Sequence, residues 1–259
     1  MNNTVHQTNH NTAAAPIVVK RTPAKVQVNL EDSQTILDRI MTKLTNSMEV
    51  GNKHRYLMEH EVRNYDLSLD KDGNLLGVGV NLRESFNGGS YRPRPQTLWT
   101  ISPEGKVTVE AGTKFFGAAL MLGHQAFRGL AKNRLNPDEA PDIYVTVDYP
   151  TGAFIHARTG KPVAVAMKNA NVKNVADFFV RRFPLSRVIA CMNEDCSDTF
   201  CGHHRLVRSL LETRAYVTFP VLSQHEEFLC FRSFNDLCIA YGPETAMRRL
   251  LDGIQGGRE

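Results

Sequence analysis

The spacing of apolar residues divides this chain into short segments of changing period. Ile36, Leu37, Ile40, Leu44 and Met48 recur every three or four residues behind the capping candidates Asp32 and Ser33, which predicts an amphipathic helix stopped by Gly51 and Asn52. The period then falls to two. Tyr65, Leu67 and Leu69 alternate with polar residues, residues 71–74 supply turn chemistry, and Leu76, Val78 and Val80 continue the alternation, so a hairpin is expected. Gly77 and Gly79 lie mid-strand and open no helix, so they read as a bulge or a close crossing rather than a phosphate loop. A second hairpin is expected around residues 103–106, with Thr97, Trp99 and Ile101 before it and Val107 and Val109 after it. Residues 115 to about 132 read as a helix that is apolar at Phe116, Ala119, Leu120, Gly123, Phe127 and Leu130.

The second half repeats this rhythm. Ile143, Val145 and Val147 predict a strand, residues 154–166 a hairpin turning at Thr159-Gly160, and residues 174–183 a helix stopped by Pro184. Residues 186–191 read as a strand, and Leu206, Val207, Leu210 and Leu211 as the inner face of a helix. Residues 228–231 and 237–241 read as a further strand pair, and Gly242-Pro243 opens a last helix carrying Ala246, Met247, Leu250, Leu251 and Ile254. Hairpin followed by helix thus occurs about three times. The expected class is α+β: antiparallel, meandering sheet with helices packed on one face. Residues 1–28, polar and without periodicity, are expected to form a disordered basic arm. Residues 29–259 are expected to form a single α+β domain, with 29–136 and 137–259 as its two halves if it divides.

Composition adds little to the fold and more to the choice of partner. The 259 residues are 42% hydrophobic and 22% charged, ordinary values for a globular protein, and no apolar run approaches the roughly 18 residues needed to span a bilayer. The N-terminus has neither the basic nor the apolar region of a secretory signal, so a cytoplasmic protein with no membrane partner is expected. The net charge is +4. Residues 1–30 contribute three basic and no acidic side chains, and the rest is nearly balanced. Within residues 181–259 all ten basic side chains are Arg, whose planar fork suits phosphate, carboxylate and aromatic partners.

Two stretches carry candidate chemistry. Residues 191–204 hold Cys191, Cys196, Cys201, His203 and His204, a concentration of soft ligands suited to a Cys₃His zinc site. Their C-x₄-C-x₄-C-x-H spacing lacks the usual C-x₂-C knuckle, and buried thiols or a reactive Cys201 near a helix start are the competing readings. The locally acidic loop around Glu194, Asp195 and Asp198 suits a structural clasp better than a phosphate site. The second stretch, residues 83–96, interleaves Arg83, Phe86, Tyr91, Arg92 and Arg94 around Gly88-Gly89. Stacking rings beside guanidinium groups suit single-stranded nucleic acid, because every base offers a π-face and every link a phosphate. Lys20, Arg21 and Lys25 on the N-terminal arm would add cations.

The function expected from these features is non-enzymatic binding of single-stranded nucleic acid, RNA more than DNA, through the Arg/aromatic loop and a sheet face. The alternatives are a structural or adaptor protein that binds another protein on a zinc-stabilised fold, and a metal- or thiol-dependent enzyme. No catalytic motif supports the last. The oligomeric state, a homodimer included, is left open by the sequence.

Overall fold

The computed structural model describes residues 33–51, 53–132, 140–194 and 200–256, with the side chains of residues 33, 200–204, 255 and 256 outside the description. Residues 1–28, and with them Lys20, Arg21 and Lys25, lie outside the described residues, as does Cys196.

The first half contains helix α1 (Ser33–Thr45), strand β1 (Met48–Glu49), helix α2 (Arg55–Glu59) and strands β2 (Leu67–Leu69) and β3 (Leu75–Asn81). Helix α3 (Leu82–Ser85) and the small hairpin β4 (Phe86–Asn87) and β5 (Ser90–Tyr91) follow, then β6 (Pro95–Ile101), β7 (Val107–Val109), β8 (Ala118–Leu122) and helix α4 (His124–Lys132). Both expected hairpins form, as antiparallel β2–β3 and β6–β7, and β3 pairs with β6 between them. The register of β3 against β6 shifts between Gly79 and Val80. A Cβ on Gly79 would overlap the Trp99 ring and the Thr97 methyl, so this glycine allows the two strands to cross closely.

The expected helix over 115–132 is instead a strand and a shorter helix. Gly117 and Gly123 both have positive φ, 74° and 82°, a conformation that breaks a right-handed helix at either end of β8. All five residues of β8 are buried.

The second half is built on parallel strands: β9 (Ile143–Thr146), α5 (Tyr149–Thr159), β10 (Val163–Val165), α6 (Asn169–Arg182), β11 (Val188–Cys191), α7 (Phe200–Leu211) and β12 (Tyr216–Thr218). Helices α8 (Gln224–Phe228), α9 (Phe234–Tyr241) and α10 (Pro243–Asp252) and strand β13 (Gln255–Gly256) close the chain. The order runs β8-β10-β9-β11-β12-β13, with β9, β10, β11 and β12 mutually parallel and β8 and β13 antiparallel at their borders. Because β3 pairs with β8, one mixed sheet runs through both halves.

The second half departs from the sequence expectation in three respects. Residues 154–166 are not a hairpin. Asp148 caps α5 by accepting from the Thr151 N–H, and Gly160, left-handed at φ 63°, ends it, so the Thr-Gly pair is a helix C-terminus. Residues 228–231 and 237–241 are not strands. Ser223 with Glu226, and Ser233 with Asp236, form capping boxes that start α8 and α9. The helices also cover both faces of the sheet rather than one. Helix α6 and Leu210 of α7 pack with Val145, Ala164 and Ala190, while α5, α9 and α10 pack with Tyr144, Val165 and Ile189. Right-handed crossovers require this arrangement, since β9 steps to β10 in one direction and β10 returns past β9 to β11 in the other. The fold is therefore mixed α/β with a largely antiparallel first half, and a threefold hairpin-helix repeat is not what organises it.

Candidate nucleic-acid interface

Helix α6 is amphipathic. Val172, Val175, Ala176 and Phe179 enter the core, and the opposite side presents Asn174, Asp177, Arg181 and Arg182 towards the start of α3 and the loop before β8. The wall facing it comes from Asn81, Leu82, Arg83, Gln96, Phe116 and Gly117, and the open cleft between the two holds about 530 Å³. Two further concavities extend it. One of about 280 Å³ shares Asn81 and Gln96 and reaches Lys114; another of about 440 Å³ shares Asp177 and Arg181 and reaches Arg214. The shared residues make the three concavities neighbours along one surface, together the groove.

Its charges are uneven. Asp177 is engaged by Arg181 at 3.0 Å and Glu212 by Arg208 at 3.5 Å. Arg83, Lys114, Arg182 and Arg214 also line the groove, and none of them makes an ion pair among the described residues. Arg182 instead lies 5.4 Å from the Phe183 ring centroid. Glu84 lines the part that holds Lys114, where it accepts from Asn81 Nδ2 at 3.0 Å, so the groove carries Arg83, Lys114, Arg181, Arg182 and Arg214 against Glu84, Asp177 and Glu212, an excess of cationic groups.

The residues singled out in the sequence separate into two sets. Arg83, Arg92 and Arg94 are exposed, and Arg83 lines the groove. Phe86 and Tyr91 are turned inward, 5% and 4% exposed. Phe86 packs among Phe127, Phe178, Phe179 and Phe183, and the Tyr91 hydroxyl meets His124 Nδ1 at 2.9 Å. These two rings belong to the core and offer no free face to a base. The one-residue alternation of the β4–β5 hairpin sends Phe86 and Tyr91, which are directly paired, to the same side. The open aromatic of this region is Phe116, 56% exposed, which the sequence pattern had assigned to a helix face.

Of the cysteines and histidines in residues 191–204, only the Cys191 side chain lies within the described residues. Cys191 is fully buried in β11, packed on the side of Tyr144 and Ile189, and burial pushes its thiol far up from its ordinary pKa. It behaves as a small apolar residue. Cys201, His203 and His204 fall in α7, but their side chains, like Cys196, lie outside the description. No group of three His, Cys, Asp or Glu side chains able to hold a metal occurs among the described residues.

A second region of interest depends on the parallel strands. Strand order β10-β9-β11-β12 places a topological switch between β9 and β11, and ligands of open parallel sheets bind beyond the C-terminal ends of the strands at such a point. Here Asp148 follows β9 and Asn193 follows β11. Asn193 Nδ2 donates to Asp148 Oδ2 at 2.6 Å, while Thr151 donates its N–H and its hydroxyl to the same carboxylate. Although the residue keeps some surface, its carboxylate is enclosed by protein, and burial, with the charge of Asp236, raises its pKa. Both oxygens are committed internally, so Asp148 latches β9 to β11. Asn193 Oδ1 is buried and accepts no hydrogen bond among the described residues.

No protein-family model matches the sequence, and no curated protein matches it significantly. Among solved structures, the chain is similar to the Aquifex aeolicus primase (zinc binding and RNA polymerase domains), at 12% identity and a TM-score of 0.46 over 86% of this chain and 50% of that one. It is also similar to a DnaG primase catalytic domain bound to ssDNA, at 11% identity and a TM-score of 0.43 over 83% of this chain and 64% of that one. The chain thus spans half to just under two thirds of the length of these structures. Among the described residues no helix is long and apolar enough to cross a membrane.

Proposed function

We propose that this protein binds single-stranded nucleic acid along the groove between α6 and the α3–β6 side. The observation that carries the reading is the set of Arg83, Arg182, Arg214 and Lys114, cationic groups that line three neighbouring concavities and make no ion pair among the described residues. Cations that outnumber the carboxylates beside them favour a polyanion, and a groove lets that polyanion track several of them at once. Phosphate contacts and an aromatic face do not depend on a 2′-hydroxyl, so the groove itself serves RNA and DNA alike. Arg92 and Arg94, exposed beside Ser85, would extend the basic surface beyond the groove.

The reading is tested by fluorescence anisotropy of a labelled single-stranded oligonucleotide across a salt series. Each phosphate contact on a single strand contributes about 0.7 to the slope of log affinity against log salt. Replacing Arg83, Arg182 and Arg214 together by Ala should therefore flatten the slope by about 2. Absence of binding at low salt, or an unchanged slope in the triple variant, overturns the proposal.

A further inference from the structure

We propose that Phe116 is the platform on which one unpaired base of the bound strand stacks, so that the groove selects single strands over duplex by a held aromatic ring as well as by charge. The inference rests on the nucleic-acid reading of the groove.

An exposed phenylalanine is unremarkable when it is free to move. Phe116 is not. Gln96 Nε2 donates to the carbonyl oxygens of Lys114 at 2.5 Å and Phe116 at 3.3 Å, tying down both sides of the turn that carries the ring. The next residue, Gly117, has a positive φ of 74°, which lets the chain reverse sharply into β8. Its N–H donates to Asn171 Oδ1 at 2.8 Å, and its carbonyl accepts from Leu82 N–H at 3.4 Å. Asn171 is itself fully buried, and its Nδ2 donates to Ala118 and Ala166 carbonyls at 2.8 and 3.1 Å. The backbone on both sides of Phe116 is thus fastened to β6, α3 and α6.

The ring is buttressed as well. Phe115 lies against it with centroids 4.3 Å apart and planes 30° apart, and the Lys168 ammonium sits 5.4 Å from the Phe115 centroid. Phe116 is nevertheless 56% exposed, and it projects into the same cleft as Arg83, Arg181 and Arg182. A ring whose position is fixed before binding loses little conformational freedom when a base lands on it. The surrounding guanidinium groups would hold the phosphates on either side of that base. A base inside a duplex has both faces already covered and cannot use the ring without unstacking, which is the origin of the selectivity.

The test uses the whole chain and a single-stranded oligonucleotide of about a dozen nucleotides, the scale of a single-strand groove, together with a duplex of equal length. Phe116→Ala should weaken single-strand binding about ten-fold or more, as loss of one base–aromatic stack does, and leave duplex affinity and the salt slope unchanged. Phe116→Trp should retain the affinity. An oligonucleotide of the same length with all bases removed should bind wild type and Phe116→Ala equally. That comparison needs no assumption about the variant's stability beyond a matching urea midpoint, and if the midpoint falls, the ratio of intact to abasic affinity in wild type decides in its place: a ratio near one overturns the inference. Equal weakening of duplex and single strand by Phe116→Ala also overturns it. Salt-dependent binding that ignores Phe116 leaves the groove reading standing and removes only the stacking platform. No binding of any oligonucleotide, or displacement by polyglutamate as effective as by nucleic acid, removes both.

Discussion

Asp148 is an enclosed carboxyl group held by three hydrogen bonds in the parallel half, and its replacement gives a sharp test of the packing described above. Its carboxylate accepts from Thr151 N–H at 2.8 Å, Thr151 Oγ1 at 3.2 Å and Asn193 Nδ2 at 2.6 Å. Asp148→Ala removes an N-cap acceptor, which costs about 1 kcal/mol. It also strands the amide of Asn193, a part-buried donor whose loss of partner costs about 1–3 kcal/mol when no water replaces it. Removing an enclosed carboxylate returns part of this, so a net loss of about 2 kcal/mol is expected. Asp148→Asn is different. The new amide oxygen can still cap Thr151, and Asn193 can turn its side chain so that Oδ1, now without a donor, accepts from the new Nδ2. The pH dependence fixes the sign. Burial raises the folded-state pKa of Asp148 above 3.8, so the folded protein keeps this proton to higher pH than the unfolded chain. The stability associated with the protonated form is complete below pH 3.8 and is lost as pH rises through the folded value. Asp148→Asn mimics the protonated form, so it should be at least as stable as wild type at pH 7, with the difference closing towards pH 4. Urea midpoints read by circular dichroism at several pH values measure both variants. If Asp148→Asn were as destabilised as Asp148→Ala at pH 7, the account of this latch would be refuted.

Two further outcomes follow from the packing. Gly79→Ala would place a Cβ against the Trp99 ring and the Thr97 methyl, with both side chains fully buried and unable to retreat, so a loss of about 1–3 kcal/mol in urea unfolding is expected; no loss would show that β3 and β6 do not cross so closely. Glu226 sits under the C-terminal helices, where burial alone would raise its pKa, but hydrogen bonds from Ser223 and Arg249 outweigh this and pull it to about 2. Its folded value lies below the unfolded 4.5, so its stabilisation is present above pH 4.5 and disappears as pH falls towards 2; the stability gap between wild type and Glu226→Gln should close over that window, and a gap independent of pH would contradict it.

The sequence by itself determined the elements whose signals are local. The amphipathic period of α1 and α10, the two hairpins of the first half and the apolar stretches that became β9 and β11 could be read from spacing and turn chemistry, because in each the side-chain pattern and the backbone preference agree. Gly79 could also be read as a close crossing, since a lone glycine inside a strand seldom has another purpose. Tertiary structure decided the rest. Residues 154–166 combine the buried end of α5 with β10, a parallel strand buried on both faces that lacks alternation, so they give an apolar run around a Thr-Gly pair, and only the capping by Asp148 and the left-handed Gly160 separate a helix C-terminus from a hairpin turn. The site followed the same division. Arg83 was legible as an exposed cation, whereas Phe86 and Tyr91 could not be recognised as core residues until the short hairpin was folded against Phe127 and Phe179. The groove joins residues 81–117 to residues 174–214, and Phe116 projects into it only because Gln96 and Asn171 pin the turn from distant strands and helices. Contacts between residues so far apart in the chain leave no periodic trace in the sequence, because they are set by which strands pair rather than by any local preference of the residues that meet.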